Sequence, residues 1–202
     1  MTTRLYLIRH GNTSDEETGK VYKGRLDIPL SRAGAMRMER LASFLASFEI
    51  SRLFTSTLSR SVESGKILAR DRGLQIEEEP AFDEVDFGVW EGLSFTEIKE
   101  RYAQDFERWL EDPNIYPPPQ GESFGKARTR SMARLRRIVG ESEGRPIAVV
   151  AHAGIIRIML FSLLGFRLKR LFRFGQDYGC INIVDLYEDG NVCLNLLNFT
   201  GY

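Results

Sequence analysis

The stretch that decides the fold is PIAVVAHAGIIRIMLFSLL, residues 146–164. Its first part, Pro146 to Ala151, is a short apolar run of the kind that forms a buried strand. His152-Ala153-Gly154 then suits a turn, and the chain continues to Leu164 as an almost wholly apolar helix. Because a helix without a polar face lies inside the protein against a sheet, this segment predicts a strand-helix unit of an α/β fold.

Working outward, a second buried strand is predicted near the N-terminus, where Leu5 to Ile8 ends in Arg9-His10-Gly11. Periodicity and turn residues divide the rest of the chain into further strands and helices. The predicted helices begin at Ser31, at Ser56 (to about Arg72), at Ser94 (to Leu110) and at Gly121-Glu122-Ser123 (to about Gly144), and the predicted strands are 53–55, an edge strand at 75–79, and a hairpin of 181–187 and 192–198. This order predicts one domain, residues 1–202, folded as an α/β sandwich with a mostly parallel sheet and a C-terminal hairpin.

The composition excludes several classes of protein. In 202 residues, 28 Lys and Arg balance 28 Asp and Glu, which argues against binding nucleic acid or an anionic membrane through bulk charge. Six Lys and Arg side chains between residues 126 and 137 are expected to form a solvated helix face. Neither a secretory signal nor a bilayer-spanning segment is apparent. We therefore expect a cytoplasmic protein with a small-molecule partner, no nucleic acid and no membrane, in an oligomeric state that the sequence does not indicate.

The chain has two histidines, and each directly follows one of the two best predicted strands. Ligands of open α/β sheets bind outside the carboxyl ends of the strands, so His10 and His152 meet in one pocket if their strands are neighbours. Arg9 accompanies His10, and Arg60 follows the strand 53–55. A guanidinium group can donate two parallel hydrogen bonds to the oxygens of one phosphate group. This set of residues therefore predicts a site for a phosphoryl group.

The chemistry of such a site follows from its charge. Arginines disfavour imidazolium, which lowers the pKa of a nearby histidine and leaves a neutral ring nitrogen able to attack phosphorus. Helix N-termini after Ser56 or Ala153 would add partial positive charge. Two histidines and two distant cysteines do not make a metal site, so no metal is expected. The departing alkoxide needs an acid, and Glu84 and Asp86 are both candidates between which spacing does not choose.

Six segments, in order, resemble the signatures of the histidine phosphatase, or phosphoglycerate mutase-like, superfamily. They are LIRHG (7–11), GRLDIPLS (24–31), STLSRS (56–61), EVDFGVWEG (84–92), GES (121–123) and VAHAG (150–154). The resemblance extends from residue 5 to about residue 165, and it implies the three-layer α/β/α sandwich of that superfamily.

The resemblance also implies a role for each residue of the site. His10 would be the residue phosphorylated during turnover, and Glu84 would be the proton donor and then the base for water. Arg9, Arg60 and His152 would hold the transferring phosphoryl group. The phosphatase branch of the superfamily needs no cofactor.

Further residues are candidates for contact with the rest of the substrate, namely Thr13, Gly24, Glu122 and Ser123, although Glu122 and Ser123 equally suit a helix start. One segment departs from the family pattern, because Asp15-Glu16 stands where many members have an aromatic residue and an asparagine. Either Glu16 points away from the anionic substrate or Asn12 supplies the missing amide as a phosphate ligand.

Phosphatases and mutases of the superfamily differ in whether water or a second substrate hydroxyl reaches the phosphohistidine first. Only the segment 94–122 is available as a lid-like insertion over the site, which favours hydrolysis. Segments 24–31 and 119–123 look most like small bacterial members that act as α-ribazole phosphatases or broad phosphomonoesterases. We therefore expect a metal-independent phosphomonoesterase acting on a small metabolite such as α-ribazole 5′-phosphate. The alternatives are a cofactor-dependent phosphoglycerate mutase and a phosphate-binding regulatory protein without turnover.

Overall fold

The computed structural model describes residues 2–15 and 21–202, and its centre is a six-stranded sheet with the order β3-β2-β4-β1-β5-β6. The strands are β1 (Thr2–Arg9), β2 (Arg52–Thr55), β3 (Ile76–Glu78), β4 (Ile147–Ala151), β5 (Ile181–Tyr187) and β6 (Val192–Phe199). The helices are α1 (Arg32–Phe44), α2 (Ser59–Ala69), α3 (Phe95–Arg101), α4 (Ala103–Glu111), α5 (Phe124–Ser142) and α6 (Ala153–Leu163), with short 3-10 helices between them.

The pairing of the strands brings three carboxyl ends together. Strand β4 lies between β1 and β2 and is parallel to both, and β3 adds a parallel edge. Strand β5 is antiparallel to β1 and forms the C-terminal hairpin with β6. The predictions of a mostly parallel sheet and of a terminal hairpin are therefore confirmed. The same arrangement places the ends of β1, β4 and β2 side by side, where ligands of such sheets bind.

Helices cover both faces of the sheet. Side chains alternate along each central strand, so Leu5 and Leu7 of β1 belong to the core that also contains α5 and α6. Tyr6 and Ile8 of the same strand belong to the opposite core, which is packed against α1 and α2. The predicted three-layer α/β/α sandwich is confirmed by this division. Within the described residues, no helix is both long and apolar enough to cross a membrane.

Most predicted elements are present, but two of the predicted helices differ from the prediction. Ser31 caps α1 as expected, since its side chain accepts a hydrogen bond from the Gly34 amide. Ser56 does not cap α2, which begins at Ser59 after Leu58. The helix predicted from Ser94 to Leu110 is two helices, because the backbone of Tyr102 leaves the helical region between α3 and α4.

The segment 94–122, which is predicted to be a lid-like insertion, is held by packing of its aromatic side chains. Phe106 and Trp109 of α4 are buried, and the Trp109 ring lies 5.6 Å from that of Trp90. The neighbouring helix α5 is less solvated than the sequence predicts. Arg130 and Arg134 are partly buried and form ion pairs with Glu122 and Glu79, because both acids face α5 from preceding loops.

Candidate active site

A cavity of about 340 Å³ opens at the carboxyl ends of β1 and β4. Its polar lining combines cations, one histidine, two tyrosines and one carboxyl group, and its remaining lining is largely aromatic. The lining residues with these properties are Arg9, His10, Lys23, Arg60, Glu84, Arg157, Tyr22 and Tyr178, and Phe87, Phe95, Phe124 and Phe172. Gly24, Ala153 and Gly154 contribute backbone to the wall.

The His10 ring is fixed in one orientation at the end of β1. It is 3% exposed, and its Nδ1 lies 2.7 Å from the carbonyl oxygen of Gly11. Because a carbonyl can only accept, Nδ1 carries the proton and Nε2 keeps its lone pair in the neutral ring. Burial, reinforced by the charges of Arg9 and Arg60, lowers the pKa of His10 well below its ordinary value. His10 is therefore a neutral imidazole with a free nucleophilic nitrogen.

The His152 ring lies 5.0 Å from the His10 ring, measured between centroids, at the end of the neighbouring strand. Its Nδ1 is 3.3 Å from Nε of Arg60, and its Nε2 is 2.7 Å from the hydroxyl of Ser56. Since the guanidinium can only donate, Nδ1 accepts and Nε2 donates to Ser56. Burial and the Arg60 charge lower the pKa of His152 as well. The two rings therefore lie close together, as predicted, both in the neutral form, but only His10 is among the residues that line the cavity.

Arg60 is the most deeply buried cation of the site, with 1% of its surface exposed. Its Nη1 and Nη2 donate to the carbonyls of Leu26 and Gly24, at 2.6 and 2.7 Å. Burial lowers the pKa of this guanidinium. Within the described residues, no carboxylate forms an ion pair with Arg60, so its charge is directed toward an anion in the cavity.

Arg9 directly precedes His10 at the end of β1. Its Nη1 donates to the carbonyl of Gln176 at 2.6 Å, and its guanidinium carbon lies 3.6 Å above the ring of Tyr178. Nε is buried and has no hydrogen-bond partner among residues 2–15 and 21–202. A buried donor of this kind is normally satisfied, so Arg9 is arranged to donate to a ligand such as a phosphoryl oxygen.

The carboxyl group of Glu84 is held against the first turn of α6. Its Oε2 accepts from the amide of Gly154 at 3.0 Å, and its Oε1 accepts from the amides of Ile155 and Val85 at 3.2 and 2.9 Å. A Cβ atom on Gly154 would lie 2.5 Å from Oε1, so glycine is what allows this approach. Asp86 instead accepts from the amide of Gly88 and does not line the cavity.

The helix N-termini that were expected to add partial positive charge have carboxyl groups of the protein bound to their amides. Glu84 accepts from the first amides of α6, and Asp83 and Asp27 accept from the amides of Thr57 and Ser59 around the start of α2. This part of the sequence prediction is wrong, because acidic side chains from two separate loops accept hydrogen bonds from these amides. The positive charge of the site therefore comes from side chains.

Comparison with known proteins identifies the family. The family model described as "Histidine phosphatase superfamily (branch 1)" matches residues 5–198. The chain belongs to the histidine phosphatase superfamily. The prediction made from the six sequence segments is thereby confirmed.

Similar members of the histidine phosphatase superfamily differ in length and in name. A bifunctional protein of Mycobacterium tuberculosis is 35% identical over 201 residues, which are 99% of this chain but 55% of that protein. The chain therefore spans about half the length of that relative. Phosphoserine phosphatase 1 of Hydrogenobacter thermophilus is 30% identical over 96% of this chain and 91% of its own length. The crystal structure of the α-ribazole phosphatase from Shigella flexneri superposes with a TM-score of 0.87, at 26% identity, covering 98% of this chain and 96% of that one.

Several residues that were predicted to contact the substrate do not line the cavity of this member of the superfamily. Ser123 caps α5, and Glu122 pairs with Arg130, so both serve the helix start. Thr13 is buried, and its hydroxyl accepts a hydrogen bond from Lys23. The backbone of Asn12 binds Ser31, and Asn12 also lies outside the cavity lining. Its role as a phosphate ligand stays a prediction, and Glu16 lies outside the described residues.

Four polar residues of the cavity lining were missed by the sequence reasoning, namely Tyr22, Lys23, Arg157 and Tyr178. Arg157 carried a usable signal, because a lone cation in an apolar helix must find partners, and here Nε donates to the Phe174 carbonyl. Lys23 lies directly before the recognised segment 24–31, and it forms an ion pair with Asp15 at 2.8 Å. Tyr178 lies in a loop without any motif, so only the fold could reveal it.

Proposed function

We propose that the protein is a metal-independent phosphomonoesterase that forms a phosphohistidine on His10. The observation that carries this proposal is the neutral His10 ring, whose proton is held on Nδ1 by Gly11 and whose centroid lies 5.0 Å from that of His152. The neutral ring is a nucleophile without further activation, and Arg9 and Arg60 supply the charge that a transferring phosphoryl group requires.

In the first step, Nε2 of His10 forms a bond to phosphorus while the bond from phosphorus to the ester oxygen breaks. The leaving oxygen takes a proton from the Glu84 carboxyl group. In the second step, Glu84 accepts a proton from water, and the resulting hydroxide attacks phosphorus. The bond between nitrogen and phosphorus breaks, inorganic phosphate leaves, and His10 returns to its neutral form. Arg9 and Arg60 bind the equatorial oxygens throughout both steps, and His152 joins them by donating its Nε2 proton to a phosphoryl oxygen in place of the Ser56 hydroxyl.

The test uses p-nitrophenyl phosphate with the wild-type protein, His10→Gln and a control variant, Arg136→Gln, on the exposed face of α5. We expect turnover that EDTA does not abolish, and a loss of at least about 10³-fold in kcat for His10→Gln only. Wild-type mixtures quenched with alkaline detergent should contain a phosphoryl adduct on His10 that is stable in alkali and is lost in acid. Phosphate binding without turnover would indicate the regulatory protein, and brisk interconversion of 2- and 3-phosphoglycerate would indicate the mutase.

For the substrate, we propose a phosphate ester whose leaving group carries an aromatic ring, such as α-ribazole 5′-phosphate. The support is the aromatic wall of the cavity, to which Tyr22, Phe87, Phe95, Phe124 and Phe172 belong. Such rings bury a planar base by stacking and edge contacts. The structural similarity to the Shigella flexneri α-ribazole phosphatase points the same way.

A matched pair of substrates tests this wall. Ribose 5-phosphate shares the sugar phosphate of α-ribazole 5′-phosphate but lacks its base, so we expect kcat/KM for the α-ribazole ester to be about tenfold higher or more. Phe95→Ala should reduce that ratio, and Phe166→Ala should not, since Phe166 is equally exposed but lies outside the cavity. Equal efficiency on both esters would contradict an aromatic leaving group.

A further inference from the structure

Tyr178 contacts three functional groups of the cavity but has no role in the chemistry described above. The Arg9 guanidinium lies 3.6 Å above its ring centroid. Lys23 Nζ donates to its hydroxyl at 3.0 Å, and the His10 ring lies 5.5 Å away, centroid to centroid. One side chain therefore stands between a phosphate-binding cation, a second cation and the nucleophile.

We propose that Tyr178 is a positioning residue that presents Arg9 to the phosphoryl group, an inference that rests on the proposed function. A guanidinium is planar, so stacking on the ring leaves it only rotation within its own plane. The bond from Nη1 to the Gln176 carbonyl stops that rotation, because it fixes one edge of the plane. The edge that carries the buried Nε is then left for the ligand.

The ring of Tyr178 is itself fixed at its far end. Lys23, which holds the hydroxyl, is held in turn by Asp15 and Thr13. The chain of contacts thus joins the loop after β1 to the loop before β5, with Arg9 supported between them. Lys23 also lies 5.4 Å from the ring centroid, so the ring faces positive charge from two sides.

The backbone around Tyr178 is held independently of its side chain. The Gly179 amide donates to the His10 carbonyl at 3.0 Å, and the Arg9 amide donates to the Cys180 carbonyl at 3.0 Å. The Tyr178 carbonyl accepts from Arg37 at 3.1 Å. Replacement of the side chain therefore leaves the loop in place, which makes substitution at this position informative.

The experiment measures the dissociation constant for inorganic phosphate by calorimetry, and kcat/KM for p-nitrophenyl phosphate. The variants are Tyr178→Leu, Tyr178→Phe, Arg9→Gln and the double variant that combines Arg9→Gln with Tyr178→Leu. Loss of the ring should weaken phosphate binding about tenfold and lower kcat/KM similarly, whereas Tyr178→Phe should lose only about threefold. In the Arg9→Gln background, Tyr178→Leu should change either value less than about twofold, because the group that it positions is absent.

The control is Tyr116→Leu, since Tyr116 also stacks with an arginine, Arg108 at 4.8 Å, but outside the cavity. It should match the wild type. Equal losses from Tyr178→Leu with and without Arg9 would overturn the inference, as would a Phe variant as weak as the Leu variant. If Tyr178→Leu does not fold, Tyr178→Met replaces it. Absence of turnover by the wild-type protein would contradict the proposed function. The phosphate titrations would still decide the role of Tyr178.

Discussion

At the scale of single residues, Glu84 and Asp86 provide a direct test of the proton donor, because they are two positions apart and only Glu84 lines the cavity. Glu84→Gln removes the proton that the leaving oxygen needs. We expect kcat to fall about 10²- to 10⁴-fold on an alkyl phosphate. The loss should be much smaller on p-nitrophenyl phosphate, since p-nitrophenolate leaves without protonation.

Asp86→Asn is the matched control, because its carboxyl group accepts from the Gly88 amide in the same loop. It should retain most of the activity on both esters. Equal losses on the two esters for Glu84→Gln would contradict proton donation by Glu84 and would indicate a purely electrostatic or structural role at the start of α6.

The residues that could be predicted from the sequence are those whose side chains follow a strand or lie in a recognisable segment. His10 and His152 could be placed together because each ends a strongly apolar run. Ser56 could not be assigned, since a serine before a helix usually caps it, whereas here its hydroxyl binds His152. Tyr178 gave no signal, because its contacts join loops more than a hundred residues apart.

At the scale of elements, Ser31 connects helix α1 to the loop after the nucleophile. Its side chain accepts from the Gly34 amide at 3.0 Å, and its own amide donates to the Asn12 carbonyl at 2.9 Å. Ser31→Ala removes the cap but keeps the backbone bond, so we expect the free energy of unfolding to fall by about 1 kcal/mol. Urea unfolding measures this change.

Ser43→Ala in the same helix is the control for that experiment, because the Ser43 hydroxyl is exposed and only bonds back to Glu39. It should shift the urea midpoint very little. The kcat/KM of Ser31→Ala should stay near the wild-type value, since the backbone bond still holds Asn12. A Ser31→Ala midpoint equal to that of Ser43→Ala would show that the cap does not stabilise α1.

The types of the elements were predictable where a run of apolar residues is long, as in β4 and α6. The ends of the elements were less predictable. The break at Tyr102 depends on how α4 turns to bury Phe106 and Trp109, which is a tertiary effect. The partial burial of Arg130 and Arg134 likewise depends on two acids outside the helix, namely Glu122 directly before its cap and Glu79 in a distant loop. Neither feature has a local sequence pattern.

At the scale of the whole molecule, the topology places all three site-bearing strand ends at one edge, and it also buries the only two histidines of the chain. Burial and the charges of Arg9 and Arg60 lower the pKa of His10, and burial and Arg60 lower that of His152. In the unfolded chain both groups regain a pKa of about 6.5. Below that pH the unfolded state therefore binds more protons than the folded state.

This difference makes the folding stability depend on pH with a definite sign. The free energy of unfolding should be insensitive to the histidines above about pH 7 and should fall as the pH drops below about 6.5, by up to about 1.4 kcal/mol per pH unit for each histidine. The lowered pKa of Asp185, which arises from its bond to Arg4, acts only at more acidic pH. Urea unfolding between about pH 5.5 and pH 8 measures the slope. A double variant with His10→Gln and His152→Gln should have a flatter profile in that window, and a slope equal to that of the wild type would contradict the neutral, buried state of both rings.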